Sequence, residues 1–124
     1  MATIAVTEQE FENAVKSGIV LLDLWAEWCG PCRAFAPIFE AASERHPDVT
    51  FGKIDTEAEG ALAEMFGVQA IPTLVVMRDG IVLGVQPGLM PAEGLDDFIA
   101  RAKALDMDVV RAKVAEQREQ TPPA

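Results

Sequence analysis

Ile19-Val20-Leu21-Leu22-Asp23-Leu24-Trp25-Ala26-Glu27-Trp28-Cys29-Gly30-Pro31-Cys32 decides how this chain folds. Apart from Asp23, its first seven residues are apolar on both faces. That is the pattern of a central strand covered on both sides, typical of parallel sheets. Gly30-Pro31 then punctuates the chain. Beyond it Phe35, Ile38, Phe39 and Ala42 recur at helical spacing. A buried strand therefore turns into a helix, with two cysteines at the join.

Upstream, Thr7-Glu8-Gln9-Glu10 has the form of a capping box, with Thr7 as N-cap, and a short helix runs from Phe11 to Val15. Ser17-Gly18 ends it. Ile4 to Val6 reads as a weak first strand. Downstream, Pro37 lies inside the helix that follows the cysteines; it removes a backbone hydrogen bond and is expected to kink the axis. His46-Pro47-Asp48 ends that helix, and His46 at its C-terminus adds a welcome cation. Val49 to Ile54 reads as a strand. Thr56-Glu57-Ala58-Glu59 repeats the capping pattern and opens a helix to about Met65, with Gly67 as its stop. Leu74 to Met77 and Ile81 to Leu83 flank Asp79-Gly80, a strong hairpin signal. From Pro91-Ala92-Glu93 a last helix carries Leu95, Phe98, Ile99, Ala102 and Leu105 on one stripe. This order of strands and helices describes an α/β fold, a three-layer α/β/α sandwich with a central mixed sheet.

The chain has 124 residues, half of them hydrophobic, which suits one domain with a short appendage. Residues 1–106 form that domain. Residues 107–124 read as a helical extension of the final helix followed by a frayed end at Thr121-Pro122-Pro123-Ala124. The net charge is −10, and all of it belongs to residues 1–106. Such a balance argues against binding nucleic acid, which needs cations to displace counterions. It argues equally against a polybasic membrane contact. The N-terminus shows no signal-peptide pattern and no apolar run is long enough to span a bilayer. A cytoplasmic monomer is the expectation. In that compartment a permanent structural disulfide is out of place.

Cys29 and Cys32 are the only cysteines, and His46 is the only histidine. Together they cannot close a tetrahedral zinc site without borrowed carboxylates, so no metal is expected. Two residues three apart on a helical turn carry β-carbons about 5–6 Å apart, close to disulfide range. Dithiol and disulfide can then interconvert with little backbone movement. At the helix N-terminus, backbone N–H groups and the macrodipole favour a Cys29 thiolate, the attacking species in exchange. The acidic surroundings oppose it. Cys32, one turn inside and expected to be less exposed, is placed to resolve a mixed disulfide. Pro31 fits the first helical turn, where a missing N–H costs little. The alternative is a pair of inert buried thiols or half of a metal site.

Trp25-Ala26-Glu27-Trp28-Cys29-Gly30-Pro31-Cys32 resembles the active-site signature of the thioredoxin family. The similarity continues through Pro37, Lys53, Ala70-Ile71-Pro72-Thr73, Asp79-Gly80 and Gly88, and covers residues 4 to 105. It implies a thioredoxin fold and a protein-disulfide reductase that uses a reversible Cys29–Cys32 disulfide. It also implies two partners, disulfide-containing client proteins and thioredoxin reductase. Electrons would come from NADPH through that flavoprotein, with no cofactor bound to this chain.

The resemblance also assigns residues. Asp23 matches a buried aspartate behind the second cysteine, a proton acceptor for Cys32, and Lys53 the lysine beside it. Taken alone, Asp23 could instead reach solvent at a strand edge or pair with Lys53. Ile71-Pro72 would be a cis bond facing the disulfide, though Pro72 alone could simply start a strand. Trp28, Gly30, Pro31, Ile71, Pro72, Gly88 and Leu89 would form a mostly apolar surface for an extended client chain. Trp25 reads as core. Gln69-Ala70 stands where the family commonly has a basic residue followed by Gly or Ser, and Pro87 where it has a small or β-branched one. Both changes touch the client groove. A reductant dedicated to one client, or a binding module with vestigial cysteines, are the competing readings.

Overall fold

Strand β2 (Ile19–Trp25) lies in the middle of a five-stranded sheet, and its alternation organises both cores. Leu21 faces one layer, while Val20, Leu22 and Leu24 face the other. The structure, a computed structural model, describes residues 2–120. Strands β1 (Thr3–Ala5) and β3 (Thr50–Asp55) run parallel to β2; β4 (Thr73–Arg78) and β5 (Ile81–Pro87) continue the sheet antiparallel. The strand order is β1-β3-β2-β4-β5. Helices α2 (Gly30–Arg45) and α4 (Ala92–Ala104) cover the Leu21 face, where Phe35, Phe39, Phe51, Leu74, Leu95 and Ile99 are fully buried. Short helices α1 (Phe11–Val15) and α3 (Gly60–Met65) cover the other face. The mixed sheet in a three-layer sandwich is the architecture expected.

Gly52 of β3 has no room for a side chain. A Cβ there would sit 2.7 Å from Val6 Cγ2 and 2.9 Å from Leu22 Cδ2. The absence of a side chain lets the segment after β1 close over β3.

Three local expectations are corrected. Neither Thr7 nor Thr56 caps a helix: α1 and α3 start after Glu10 and Glu59, without side-chain caps. At α3 the reason is Asp55, whose Oδ1 takes the N–H groups of Glu57 (2.9 Å) and Ala58 (3.4 Å) and forms a turn first. Thr56 Oγ1 donates instead to the Trp25 carbonyl (3.0 Å). At α1, Glu59 Oε1 accepts the N–H of Glu8 (2.9 Å), and Glu8 Oε2 accepts that of Ala61 (3.3 Å). The acids thus bond across the two loops.

Nor do residues 107–120 extend the last helix. Leu105 is extended (ψ 138°), and α5 (Met107–Gln120) is a separate helix. Asp106 causes the break by capping the new helix, accepting from Asp108 N–H (3.0 Å) and Val109 N–H (3.4 Å). Arg78 meets the orphaned carbonyls at the end of α4, donating to Ala102 (2.8 Å) and Leu105 (3.3 Å). Helix α5 is held by the buried Met107 and by Arg111, 3.3 Å from Asp79. The expected frayed end at residues 121–124 lies outside the described residues. Among the described residues, no helix is long and apolar enough to cross a membrane.

Candidate active site

The end of β2 and the start of α2 place the cysteine pair. Cys29 is the N-cap of α2, in extended conformation (φ −85°, ψ 114°), with Pro31 in the first turn. Its Sγ accepts the backbone N–H of Cys32 at 3.2 Å. The sulfur therefore occupies the position of a capping oxygen, where the helix offers unpaired donors. Cys29 and Cys32 are joined as a disulfide, with Cα atoms 5.2 Å apart. Exposure does not distinguish them: Cys29 is 4% and Cys32 3% exposed, against the expectation that Cys32 would be the more covered. What differs is surroundings. Cys29 Sγ lies 3.6 Å from the Ile71 carbonyl oxygen, whereas Cys32 lines a crevice with Trp25, Ala26, Glu27, Arg33 and Lys53.

Ile71 and Pro72 reach the site from the loop before β4, and the bond between them is cis. The Thr73 hydroxyl donates to the Ala70 carbonyl and fixes that loop. Gly88 comes from the loop after β5. Its positive φ (96°) suits glycine, and its N–H donates to the Pro72 carbonyl at 2.8 Å. Leu89 follows, half exposed. Trp28 stands beside Cys29 with 67% of its surface exposed, and Gly30 and Pro31 are exposed too. Pro72 itself is buried. Of these residues Ile71 packs against the largely covered cysteine pair, and Gly88 is tied to the Ile71-Pro72 loop through the Pro72 carbonyl.

Strand parity puts Asp23 on the same face as Leu21, under α2. It is 1% exposed, and neither carboxylate oxygen has a hydrogen-bond partner. Burial pushes its pKa up to about 6; the Lys53 charge acts in the opposite direction and offsets only part of this. Lys53 is the register partner of Asp23 on β3. Its Nζ lies over the Trp25 ring, 5.1 Å from the centroid. Asp23 is therefore neither a solvent-reaching edge residue nor hydrogen-bonded to Lys53. Trp25, expected in the core, is only half-buried, packed against the cysteines and lining the crevice beside Cys32. His46 caps the end of α2 and meets Asp96 of α4 at 2.8 Å, far along the chain from this chemistry.

Some contacts were not legible. Glu57 accepts the indole N–H of Trp28 at 2.6 Å, and Arg33 donates to the Glu27 carbonyl at 2.9 Å. Glu57 was read only as part of a capping pattern, and no spacing rule links residue 57 to residue 28. Among the described residues no group of three or more His, Cys, Asp or Glu could hold a metal.

The comparisons with known proteins agree with this geometry. The thioredoxin family profile matches residues 2–101, stopping before α5. A putative thioredoxin 2 of Streptomyces coelicolor is 48% identical over 120 residues, 96% of this chain and 90% of that protein. A thioredoxin of Bacillus subtilis is 38% identical over 100 residues, 80% of this chain and 96% of that one. The solved structure of a mutant thioredoxin from Halobacterium salinarum superposes with a TM-score of 0.78 at 33% identity, covering 84% of this chain and 93% of that one. With a paired Cys29–Cys32 at the strand–helix junction, the chain belongs to the thioredoxin family and is a thiol–disulfide oxidoreductase that reduces protein disulfides.

Proposed function

We propose the following division of labour. The reduced Cys29 thiolate attacks one sulfur of a client disulfide. A Cys29–client bond forms, and the other client sulfur leaves as a thiolate that takes up a proton. Cys32 then gives its proton to the Asp23 carboxylate and attacks Cys29 Sγ. The Cys29–client bond breaks, and the second client sulfur leaves as a thiolate that takes up the proton held by Asp23. Two electrons have passed to the client, and the chain holds the Cys29–Cys32 disulfide. Lys53 tempers the basicity of Asp23. Trp28, Gly30, Pro31, Ile71, Pro72, Gly88 and Leu89 form the docking face.

The observation that carries this reading is the position of Cys29 Sγ at the N-cap of α2, 3.2 Å from the Cys32 N–H. A thiolate there accepts the bond that the helix leaves open. The oxidised form is re-reduced by a thioredoxin reductase that draws on NADPH. The setting is cytoplasmic and the chain acts as a monomer on protein disulfides, without metal, nucleic acid or membrane. Residues 1–106 form the working domain, and residues 107–124 are an appendage. Cys32→Ser should accumulate mixed disulfides through Cys29 when incubated with disulfide-bonded proteins. If Cys29→Ser traps the same set instead, the assignment of roles is wrong.

A further inference from the structure

Trp28 is the largest exposed apolar side chain near the disulfide, at 67% exposure. An indole so open to solvent has little packing to fix its rotamer, and a mobile docking residue must be ordered each time a client binds. Its Nε1–H donates to Glu57 at 2.6 Å. The ring therefore has one strong, charge-assisted tether that leaves its faces free.

Glu57 is well placed to hold it. It sits in the turn between β3 and α3, and Asp55 Oδ1 takes its backbone N–H at 2.9 Å. The preceding residue, Thr56, is tied to the Trp25 carbonyl twice, by its N–H (2.9 Å) and its hydroxyl (3.0 Å). Trp25 is the last residue of β2, three positions before Trp28. The turn that carries Glu57 and the loop that carries Trp28 are thus anchored to the same strand end. On the Trp28 side, Arg33 holds the Glu27 carbonyl at 2.9 Å, and Cys29 N–H bonds the Ala26 carbonyl at 3.2 Å.

We propose that Glu57 is a positioning residue for client binding: its carboxylate fixes the Trp28 indole so that the docking face is ordered before the client arrives. This rests on the reading of Trp28 as part of that face. Preorganisation of this kind acts on client affinity and not on the exchange of sulfur bonds.

The test uses steady-state reduction of insulin by the full chain, regenerated by dithiothreitol, for wild type, Trp28→Ala, Glu57→Ala and Glu57→Gln. Trp28 anisotropy is read from each indole-bearing form in a Trp25→Phe background. Glu57→Ala is expected to raise KM for insulin about three- to tenfold, with kcat within about twofold, and to speed the anisotropy decay. Glu57→Gln, whose amide oxygen still accepts the indole N–H, is expected to restore most of both. If Trp28→Ala raises KM and Glu57→Ala leaves it unchanged, the positioning role is overturned. It is overturned as well if Glu57→Ala raises KM without altering anisotropy, or if Glu57→Gln behaves like Glu57→Ala, since charge alone would then explain the effect. If Trp28→Ala itself leaves KM unchanged, the docking reading fails first and the proposal falls with it.

Discussion

Asp23 stands opposite Lys53 across the β2–β3 ladder, on the face that α2 covers, yet neither of its carboxylate oxygens has a hydrogen-bond partner. The pair is a proximity of charges without a bond. Burial then dominates, and the Asp23 pKa rises to about 6 despite the lysine. A carboxyl so poised is ionised at neutral pH and still basic enough to take a thiol proton.

Asp23→Asn separates the two consequences of that burial. The folded-state pKa lies above the unfolded value of 3.8. Folding therefore favours the protonated form, and stability falls as pH rises through about 6. An asparagine cannot ionise. The variant is expected to be more stable than wild type by about 2–3 kcal/mol at pH 8, with the gain vanishing toward pH 4. Denaturant unfolding at both pH values measures this. The same variant should slow resolution of the mixed disulfide by about tenfold or more. Equal stability of the two proteins at pH 8 would contradict the buried, unpaired placement.

Gly52→Ala tests the close approach of β3 to its neighbours. The new methyl would lie 2.7 Å from Val6 Cγ2, on a stiff β-branched residue, and 2.9 Å from Leu22 Cδ2. Overpacking of this kind costs about 1–3 kcal/mol, which chemical denaturation would detect. A neutral result would mean that the segment after β1 can shift without penalty.

How much of this was legible beforehand depends on whether the signal was local. Strand β2, the CxxC junction and the Asp79-Gly80 hairpin were readable because each lies within a few residues: an apolar run, a Gly-Pro stop, a turn dipeptide. The two capping patterns misled because Glu10 N–H turns back to the Thr7 carbonyl and Glu59 N–H to the Asp55 carbonyl, so each segment closes as a turn before its helix begins. The break before α5 was missed because Val109, Val110 and Val114 continue a helical period, while Asp106 outweighs it as a cap. At the site, the tie between Trp28 and Glu57 joins residues 29 apart in sequence, and no periodicity reports such a contact.

Helix α5 offers a cleaner test of modularity. It is held by Met107, 7% exposed, and by the Arg111–Asp79 pair at 3.3 Å. Removing residues 107–124 is expected to cost about 1–2 kcal/mol and lower Tm by several degrees. Client turnover should stay within about twofold, because the disulfide lies at the other end of the strands. A large loss of turnover at a temperature where the truncated chain is folded would show that the tail takes part in function.

Asp96 links α4 to the end of α2 through His46 at 2.8 Å and Arg45 at 2.9 Å. The hydrogen bond from His46, then that from Arg45, lowers its pKa. A depressed folded-state pKa contributes stability above the unfolded value of 3.8, and that share is lost as pH falls through the folded one. Asp96 is 44% exposed, so solvent screens the effect. Asp96→Asn is expected to destabilise by about 0.5–1 kcal/mol at pH 7 in low salt, and by less in 1 M salt. Thermal melts at the two salt concentrations check both halves of that statement.

The most direct measurement is catalysed reduction of insulin by dithiothreitol, with and without a catalytic amount of this chain, and with Cys29→Ser in its place. Wild type should speed the reaction well above the rate of dithiothreitol alone, and Cys29→Ser should return it to that rate. A wild-type rate indistinguishable from dithiothreitol alone, or a Cys29→Ser variant as active as wild type, would contradict the account.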